Sequence, residues 1–230
     1  MTRKLVLFDI DGTLLTSGGA GERALRIAFR ERFGIDDDLK NVEIAGRTDS
    51  GIARRMLATH RLAGTPENIA AFLDTYVHHL ALELPRTPGG LLPGTLPLLE
   101  ALRNDNQFVL GLLTGNLQRG AELKLVRYGI WHFFEFGAFA DDHHDRNELG
   151  RFACTRASER HGCDFPAEYI YVIGDTPHDI ACAHAINACG IGVATGTFTR
   201  KHLEQAGADV VFDDLAEMQP VLEFLGKPAS

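Results

Sequence analysis

Cysteine is scarce in this sequence. Four of the 230 residues are cysteines, and no two of them form a C-x-x-C pair. A disulfide framework or a cysteine-based metal site needs more cysteines at closer spacing. We therefore expect reduced, partly buried thiols, as in a protein of a reducing compartment.

Long apolar runs are also missing. No run approaches the ~18 residues that a membrane-spanning helix requires. The apolar stretch at residues 5–8 is too short for the core of a signal peptide, and acidic residues follow it at once. We therefore expect a cytoplasmic protein without a membrane partner.

Positive charge is in deficit, since 23 Lys and Arg stand against 31 Asp and Glu, a net charge of −8. Proteins that bind nucleic acid or anionic membranes need a basic face, so we expect no nucleic-acid partner. A small anion can still bind where a cation inverts the local field. The composition, 45% apolar and 23% charged, is that of a globular protein, and the length suits one domain with or without a smaller insertion.

Short apolar runs, typical of strands buried on both faces, alternate with helical patterns along most of the chain. Strands are predicted at residues 4–8, 108–113, 169–173, 190–193 and 209–212, with a weaker run at 134–139. Helices are predicted near residues 95–102, 117–128, 149–160, 179–186 and 215–225. This alternation predicts an α/β fold, a three-layer Rossmann-like core around a parallel sheet.

The stretch at residues 17–88 interrupts this rhythm. It contains helical patterns at 21–33, 49–60 and 66–82 but no strand-like run. Gly18 and Gly19 open it, and prolines and glycines between residues 85 and 93 close it, as in flexible linkers. We therefore predict an α/β core domain at residues 1–16 and 89–230, with an all-helical cap domain inserted at residues 17–88.

Polar residues follow three of the predicted strands at the edge where α/β sheets bind ligands. The segments are Asp9-Ile-Asp11-Gly12-Thr13, Thr114-Gly115-Asn116 and Gly174-Asp175-Thr-Pro-His-Asp179. Helix caps and turns would explain any one of these loops alone. Four carboxylates at one edge, however, repel each other unless a cation is present, and hard oxygen ligands favour Mg²⁺.

These residue types suit phosphoryl transfer. One carboxylate can attack phosphorus, and a second can give a proton to the leaving oxygen and later take one from water. Backbone N–H groups of the glycine-containing loops and the Thr114 hydroxyl can hold the non-bridging oxygens. Mg²⁺ and one basic side chain can balance the charge that develops.

The three motifs, in this order and with a helical insertion after the first, resemble those of the haloacid dehalogenase superfamily. Within it, the chain is similar to the phosphoglycolate phosphatase-like branch over roughly residues 4–224. The resemblance implies that Asp9 is the nucleophile and that Asp11 is the general acid/base, its backbone carbonyl also touching the metal. It also implies that Thr114 binds the phosphoryl group and that Gly12, Gly115 and Asn116 shape the loops around it. Asp175 would complete the Mg²⁺ shell, and Asp179 would act on the metal directly or through water.

One element departs from the family pattern. The family places a lysine ahead of the helix that precedes the last motif, and this chain has no lysine between residues 125 and 200. We predict that Arg146 takes this role, with Arg151 as the second candidate and an ordinary helix-start arginine as the alternative. Arginine keeps the charge and can bind in a bidentate manner, but its reach differs from that of lysine. Lys124 is a weaker candidate because it belongs to the helix after the second motif.

Other features have two interpretations each. The run Asp141-Asp142-His143-His144-Asp145 resembles a metal cluster, but a solvated loop explains consecutive residues better. His178 could approach a substrate, although a surface histidine at a helix start is the simpler interpretation. Arg47 would suit an anionic end of a substrate, whereas Thr48 or Asp49 as a helix N-cap explains the same loop without a ligand.

Together these patterns predict a Mg²⁺-dependent phosphatase that hydrolyses a small phosphomonoester, phosphoglycolate-like or a sugar phosphate, through an aspartyl-phosphate. Its partner would be a small phosphorylated metabolite, and nothing in the sequence indicates an oligomeric state. A β-phosphoglucomutase-like phosphomutase shares the same core residues and is the main alternative. Asp11 argues against a dehalogenase, and a phosphonate hydrolase would need a cap lysine, for which only Lys40 is available. A catalytically silent binding protein would tolerate the loss of Asp9 or Asp11, and the presence of both argues against this alternative.

Overall fold

A parallel sheet forms the centre of the structure, a computed structural model that describes residues 2–228. The strands are β1 (Lys4–Phe8), β2 (Leu15–Thr16), β3 (Gly90–Leu91), β4 (Phe108–Leu113), β5 (Gly137–Ala138), β6 (Ile170–Gly174), β7 (Cys189–Val193) and β8 (Val210–Phe212). Six of them pair in parallel in the order β5-β4-β1-β6-β7-β8.

Helices lie on both faces of this sheet and beyond its carboxyl edge. They are α1 (Ala20–Phe33), α2 (Asp49–Thr59), α3 (Pro66–Glu83), α4 (Thr95–Asn104), α5 (Gln118–Arg127), α6 (Arg146–His161), α7 (Pro177–Ala185), α8 (Arg200–Gln205) and α9 (Met218–Leu225). Val6 and Phe8 of β1 pack with α4, α5 and α9, whereas Leu5 and Leu7 pack with α6 and α7. The side chains of a strand alternate between its two faces, so an apolar run such as β1 is buried on both. The prediction of a three-layer α/β fold is confirmed.

Two predicted elements differ in extent. The weak run at 134–139 forms only the two-residue strand β5, preceded by a short 3₁₀ helix at Trp131–Phe133. The last helix begins at Met218 rather than near residue 215, and α8 was not predicted. Among residues 2–228, none of the helices has the length and apolar character that crossing a membrane requires.

The helices α1, α2 and α3 have an apolar cluster of their own. Phe29, Phe72 and Tyr76 lie in this cluster, and the rings of Phe29 and Phe72 meet edge to face at 5.4 Å. Leu117 and Ala140, from the part of the chain that carries the sheet, also belong to it. The helical layer therefore packs against the loops at the sheet edge and is not isolated from them.

The chain passes into and out of this helical segment at neighbouring points. Leu15 pairs with Leu91 and Thr16 with Gly90 in the antiparallel pair β2–β3. Sequence patterns did not predict either strand. The domain boundaries at residues 17 and 88 remain a prediction, and β2 and β3 lie beside them.

The register of the sheet brings the three motifs together. β1 pairs with β4 on one side and with β6 on the other. The loops after these strands therefore lie side by side at the carboxyl edge, where the strand order reverses and α/β proteins bind their ligands.

Candidate active site

Three buried carboxylates meet at the carboxyl edge of the sheet. Asp9 follows β1, Asp175 follows β6, and Asp179 lies in the first turn of α7. One oxygen of each lies within 4.8 Å of the others. Their burial is nearly complete, at 4%, 3% and 0% relative exposure, so the group is too dry to be an ordinary solvated acidic cluster.

Arg146 is the cation of this group. It is the first residue of α6, and its guanidinium is 7% exposed. Its Nη2 donates to Asp9 Oδ1 at 2.8 Å and also to Asp179 Oδ1. Burial lowers the pKa of Arg146, but the charges of Asp179 and Asp9 outweigh this and raise it, so the side chain stays charged.

One guanidinium does not neutralise three carboxylates. Burial raises the pKa of Asp9, and although Arg146 opposes this, the net shift is upward. Burial, Asp179 and Asp9 together raise the pKa of Asp175 as well. Two negative charges remain unbalanced, as many as one divalent cation carries, and carboxylate oxygens are suitable ligands for such an ion. The group therefore fits a divalent metal site.

The neighbouring backbone leaves room around Asp175. A Cβ on Gly12 would lie 2.4 Å from Asp175 Oδ2, and a Cβ on Gly196 would lie 1.8 Å from the same atom. Thr13 Oγ1 donates to Asp175 Oδ1 at 3.2 Å. Gly12 also has a positive φ of 84°, which favours glycine. This carboxylate is thus held in a pocket that larger residues would fill.

Asp179 is held by the start of α7. Its Oδ2 accepts from the backbone N–H of Thr176 at 2.9 Å and from Thr176 Oγ1 at 2.7 Å, which completes a capping box. The capping box fixes this carboxylate and leaves its Oδ1 for Arg146. Asp179 therefore serves both the helix start and the carboxylate group.

Asp11 lies outside this group and has a different cation. Its Oδ2 accepts from Lys124 Nζ at 2.5 Å and from Asn116 Nδ2 at 2.8 Å. Lys124 Nζ also donates to Asn116 Oδ1 at 2.6 Å, and Asn116 Nδ2 reaches Thr114 Oγ1 at 2.9 Å. Two carboxylates only two residues apart in sequence are thus directed to two separate cations. The contact of the Asp11 carbonyl with a metal remains a prediction.

The loop after β4 is locked to the helical layer above it. The backbone N–H of Asp49, the first residue of α2, donates to the Gly115 carbonyl at 2.7 Å, and Asp49 Oδ2 accepts from Leu117 N–H at 2.8 Å. A Cβ on Gly115 would lie 2.1 Å from the Arg47 carbonyl oxygen, so only glycine permits this approach. Burial raises the pKa of Asp49 to about 6. Thr48 is the N-cap of α2, as the simpler interpretation of this loop expected.

A cleft of about 410 Å³ opens above these residues, between the sheet edge and the helical layer. Its lining includes the polar residues Asp9, Asp11 and Asn116. It also includes Tyr76 and the apolar side chains of Leu25, Ile44, Ile52 and Leu92. Arg47 also lines the cleft, but its guanidinium is paired with Glu43 at 2.5 Å and is 45% exposed.

The remaining candidates lie elsewhere. Arg151 is 71% exposed and pairs with Glu148, so the structure brings Arg146 and not Arg151 to Asp9. His178 is half-buried and contacts Glu43 at 3.1 Å. Lys40, the lysine that a phosphonate hydrolase would need, is 81% exposed and pairs with Asp38.

The run at residues 141–145 does not gather around one point. Asp142 forms a two-fold ion pair with Arg156, and Asp141 accepts from the backbone of Gln118. His143 contacts the backbone of Asp145. These side chains therefore have separate partners and do not form one cluster.

Sequence analysis did not predict the contacts of three parts of the site, and it named Lys124 only as a weaker candidate for the role given to Arg146. Lys124 lies three residues after buried Ala121, on the same helix face, a position that already indicated an inward side chain. Asp49 was considered only as a helix cap. The loop after β7, with Thr195 and Gly196, reaches the cleft because β7 is another strand of the same parallel sheet.

Comparison with known proteins agrees with this geometry. The family model for haloacid dehalogenase-like hydrolases matches residues 6–184. A probable phosphatase, IndB of Dickeya dadantii (strain 3937), is 26% identical over 223 residues, covering 94% of this chain and 92% of the relative. The phosphoglycolate phosphatase of Vibrio cholerae is 26% identical over 228 residues, covering 95% and 96%.

Solved structures share the fold. CbbY from Rhodobacter sphaeroides, in complex with phosphate, superposes with a TM-score of 0.77 at 22% identity over 95% of this chain and 97% of the other. A β-phosphoglucomutase from Clostridium difficile superposes with a TM-score of 0.76 at 18% identity over 98% of both. The resemblance predicted from the motifs is confirmed, and the chain belongs to the haloacid dehalogenase-like hydrolase family.

Proposed function

We propose that this protein is a Mg²⁺-dependent phosphatase that hydrolyses a small phosphomonoester through an aspartyl-phosphate. One observation carries the proposal: two neighbouring aspartates, Asp9 and Asp11, are held by two different cations. Asp9 lies in the dry group with Arg146, and Asp11 lies in the hydrogen-bond network of Lys124 and Asn116. Two carboxylates in different environments can take different roles, one as nucleophile and one as acid.

In the first step, an oxygen of Asp9 attacks phosphorus. Arg146 occupies Asp9 Oδ1, and Oδ2 accepts no hydrogen bond from any residue between 2 and 228, so Oδ2 is the free nucleophile. As the new P–O bond forms, the bond to the leaving oxygen breaks, and Asp11 gives its proton to that oxygen. The products are an alcohol and phosphorylated Asp9.

In the second step, water replaces the alcohol. Asp11, now ionised, takes a proton from the water while the oxygen of that water attacks phosphorus. The bond between phosphorus and Asp9 breaks, and Asp9 leaves as a carboxylate. The Thr114 hydroxyl and the backbone at Gly115 hold the non-bridging oxygens in both steps. Asp9, Asp175 and Asp179 would hold the Mg²⁺, which supplies charge compensation for the phosphoryl group when bound.

We also propose that residues 17–88 act as a cap over the site. Helices α1–α3 bring Leu25, Ile52 and Tyr76 to the cleft and face the loops after the strands. A layer of this kind excludes bulk water and selects the leaving group through its side chains. The predicted contact of Arg47 with an anionic end of the substrate would require it to exchange Glu43 for the substrate.

A phosphomutase would use the same core residues and is the second candidate, because the fold is shared with a β-phosphoglucomutase. We favour hydrolysis because three relatives that each match more than nine tenths of this chain are named phosphatases. The two reactions differ in whether water or a sugar hydroxyl receives the phosphoryl group.

The test is turnover of p-nitrophenyl phosphate with Mg²⁺ and with EDTA, for the native chain and for Asp9→Asn. We expect Mg²⁺-dependent release of p-nitrophenol by the native chain and none above background by the variant. Asp36→Asn, a change at a carboxylate 65% exposed on the protein surface, is the matched control and should keep full activity.

A panel of phosphorylated metabolites, scored both for phosphate release and for isomer formation, then separates hydrolase from mutase. Isomer formation faster than phosphate release would favour the mutase. Metal-independent turnover, or an active Asp9→Asn variant, would contradict the mechanism.

A further inference from the structure

The cleft contains two buried cations, and the proposed mechanism uses only one of them directly. Arg146 binds Asp9 and Asp179 in the carboxylate group. Lys124, on α5, binds neither of these residues. Its side chain is 4% exposed, and a lysine so buried needs partners that compensate its lost hydration.

The partners of Lys124 are the proposed acid and its neighbour. Its Nζ lies 2.5 Å from Asp11 Oδ2 and 2.6 Å from Asn116 Oδ1. Asn116 Nδ2 donates to the same Asp11 Oδ2 at 2.8 Å. Two donors therefore converge on one oxygen of a carboxylate that is otherwise 39% exposed and would rotate freely in water.

The second oxygen of Asp11 is left available. Within residues 2–228, Asp11 Oδ1 accepts no hydrogen bond, and Asp11 lines the cleft. A carboxyl group held by one oxygen can transfer a proton through the other. This arrangement reduces the freedom that an exposed acid must lose before it can reach the leaving oxygen.

We propose that Lys124 is a positioning residue for Asp11. Together with Asn116 it fixes Oδ2 and leaves Oδ1 to carry the proton that moves to the leaving oxygen as the P–O bond breaks. The proposal rests on the proposed function, because it assigns to Lys124 the orientation of the acid in that reaction. Lysine suits this place since its ammonium is a compact charge that fits between two oxygens, whereas a guanidinium is planar and larger.

A purely structural role is the competing explanation. Lys124 is close enough to Asp49 of α2 to lower the pKa of that carboxyl, so its charge also acts where the helical layer meets the loop after β4. Loss of that contribution would weaken the fold or the site as a whole. It would slow the first step of all substrates alike, whereas loss of acid positioning slows the first step only for substrates whose leaving group needs a proton.

The experiment compares two leaving groups. p-Nitrophenolate leaves without a proton, whereas the alcohol of an alkyl phosphate leaves only if its oxygen receives one. The alkyl phosphate used is the one that the native chain hydrolyses fastest among glycerol 3-phosphate, 2-phosphoglycolate and glucose 6-phosphate. We expect Lys124→Met to lower kcat/KM for the alkyl phosphate on the order of 100-fold and kcat/KM for p-nitrophenyl phosphate only a few-fold, as roughly expected for loss of general-acid catalysis. Because kcat/KM reports the steps up to the departure of the leaving group, it excludes the later step in which Asp11 acts as a base.

Asp11→Asn should show the same selectivity, and the double variant should be no slower on the alkyl phosphate than Asp11→Asn alone, because both changes remove one function. Equal losses on both substrates, or additive losses in the double variant, would overturn the proposal. Lys201→Met, at an exposed lysine of α8, is the matched control and should leave both rates unchanged.

If Lys124→Met does not fold, Lys124→Gln takes its place, since its uncharged amide is polar but one bond too short to hold Asp11 Oδ2 as the lysine does. The same selectivity supports the proposal and its absence overturns it. A native chain that hydrolyses neither substrate would contradict the proposed function itself. If the native chain hydrolyses both substrates and the Lys124 variant loses the same rate on each, only the role of Lys124 is contradicted.

Discussion

The guanidinium of Arg146 touches both the proposed nucleophile and the start of α7. A lysine carries one nitrogen, while the guanidinium of arginine can also donate from a second one, as Nη1 does to the Gly46 carbonyl at 3.2 Å. Here one Nη2 serves Asp9 and Asp179 together. We propose that Arg146 thereby takes the place of the family's lysine in this chain.

Removing this charge should be costly for catalysis. We expect Arg146→Ala to lower kcat on p-nitrophenyl phosphate on the order of 100-fold or more, since it removes the buried cation that faces the transition-state charge. Arg151→Ala, which truncates an exposed side chain of the same helix, should stay within a few-fold of the native rate. Steady-state kinetics with both variants, at matched thermal stability, checks this. Comparable losses in the two variants would refute the assignment.

Gly196 offers a second test at the scale of single atoms. A methyl group there would lie 1.8 Å from Asp175 Oδ2, so this carboxylate would have to turn away. We expect Gly196→Ala to raise the Mg²⁺ concentration for half-maximal activity about 10-fold, the range seen when groups around metal ligands change. A Mg²⁺ titration of the rate measures this.

Gly64→Ala is the matched control, because a Cβ at this exposed glycine meets no atom within 4 Å. It should leave the Mg²⁺ requirement unchanged. An unchanged requirement in Gly196→Ala as well would show that Asp175 adapts without loss of metal affinity.

At the scale of elements, the start of α2 is tied to the loop after β4 through Asp49. Its carboxyl is buried beside Leu117, and burial raises its pKa to about 6, above the value of about 4 in an unfolded chain. Between about pH 4 and pH 6, the Asp49 carboxyl releases its proton in the unfolded chain and keeps it in the folded chain. This carboxyl therefore lowers the free energy of unfolding as the pH rises from about 4 to about 6, with no further change above.

Asp49→Asn should remove this dependence. The unfolding free energy of the variant minus that of the native chain should increase by about 2 kcal/mol between pH 4 and pH 7. Urea unfolding at both pH values measures it, with Asp36→Asn as an exposed control. The same difference at pH 4 and pH 7 would exclude a raised pKa for this carboxyl.

Elements with a strong local pattern could be predicted from the sequence. β1 is a continuous apolar run that ends at Asp9, and its predicted bounds agree with the structure. The two-residue strands β2 and β3 are too short to show a periodic pattern, and α8 spans fewer than two turns. Their existence depends on tertiary contacts.

The residues of the candidate site also fall into those that the sequence predicts and those that depend on tertiary contacts. The loops after β1, β4 and β6 could be assigned to one edge, because parallel strands align their carboxyl ends. The contact of Lys124 with Asp11 could not be predicted, because the apolar face of α5 indicates that this side chain points inward but not which residue it meets. Asp49 joins the site only because the helical layer folds back onto the sheet edge.

At the scale of the whole molecule, stability and metal binding are linked by proton release. Burial raises the pKa of Asp9 and of Asp175, so in the absence of metal these carboxyls tend to keep their protons as the pH rises. A divalent ion must displace those protons, and it therefore binds more tightly at higher pH. Mg²⁺ should stabilise the fold more at pH 8 than at pH 6.

Thermal unfolding with EDTA and with Mg²⁺ measures this difference. Where the Mg²⁺ concentration is about 100 times Kd, the Tm at pH 8 should rise by about 5 °C or more, given the typical unfolding entropy of a chain of this size. The rise should be smaller at pH 6 and absent in Asp175→Asn. Equal shifts at both pH values, or a native-like shift in Asp175→Asn, would contradict the link.

The pairing of β2 with β3 has an evolutionary consequence. Because Thr16 and Gly90 are hydrogen-bonded neighbours, the ends of the intervening segment are as close together as the ends of a hairpin loop. Selection can lengthen, shorten or replace that segment without moving β1 or β4, and so without disturbing Asp9 and Thr114. With the cap function we propose for this segment, new substrates would be acquired by exchanging one continuous piece of the gene while the residues after the strands are inherited unchanged.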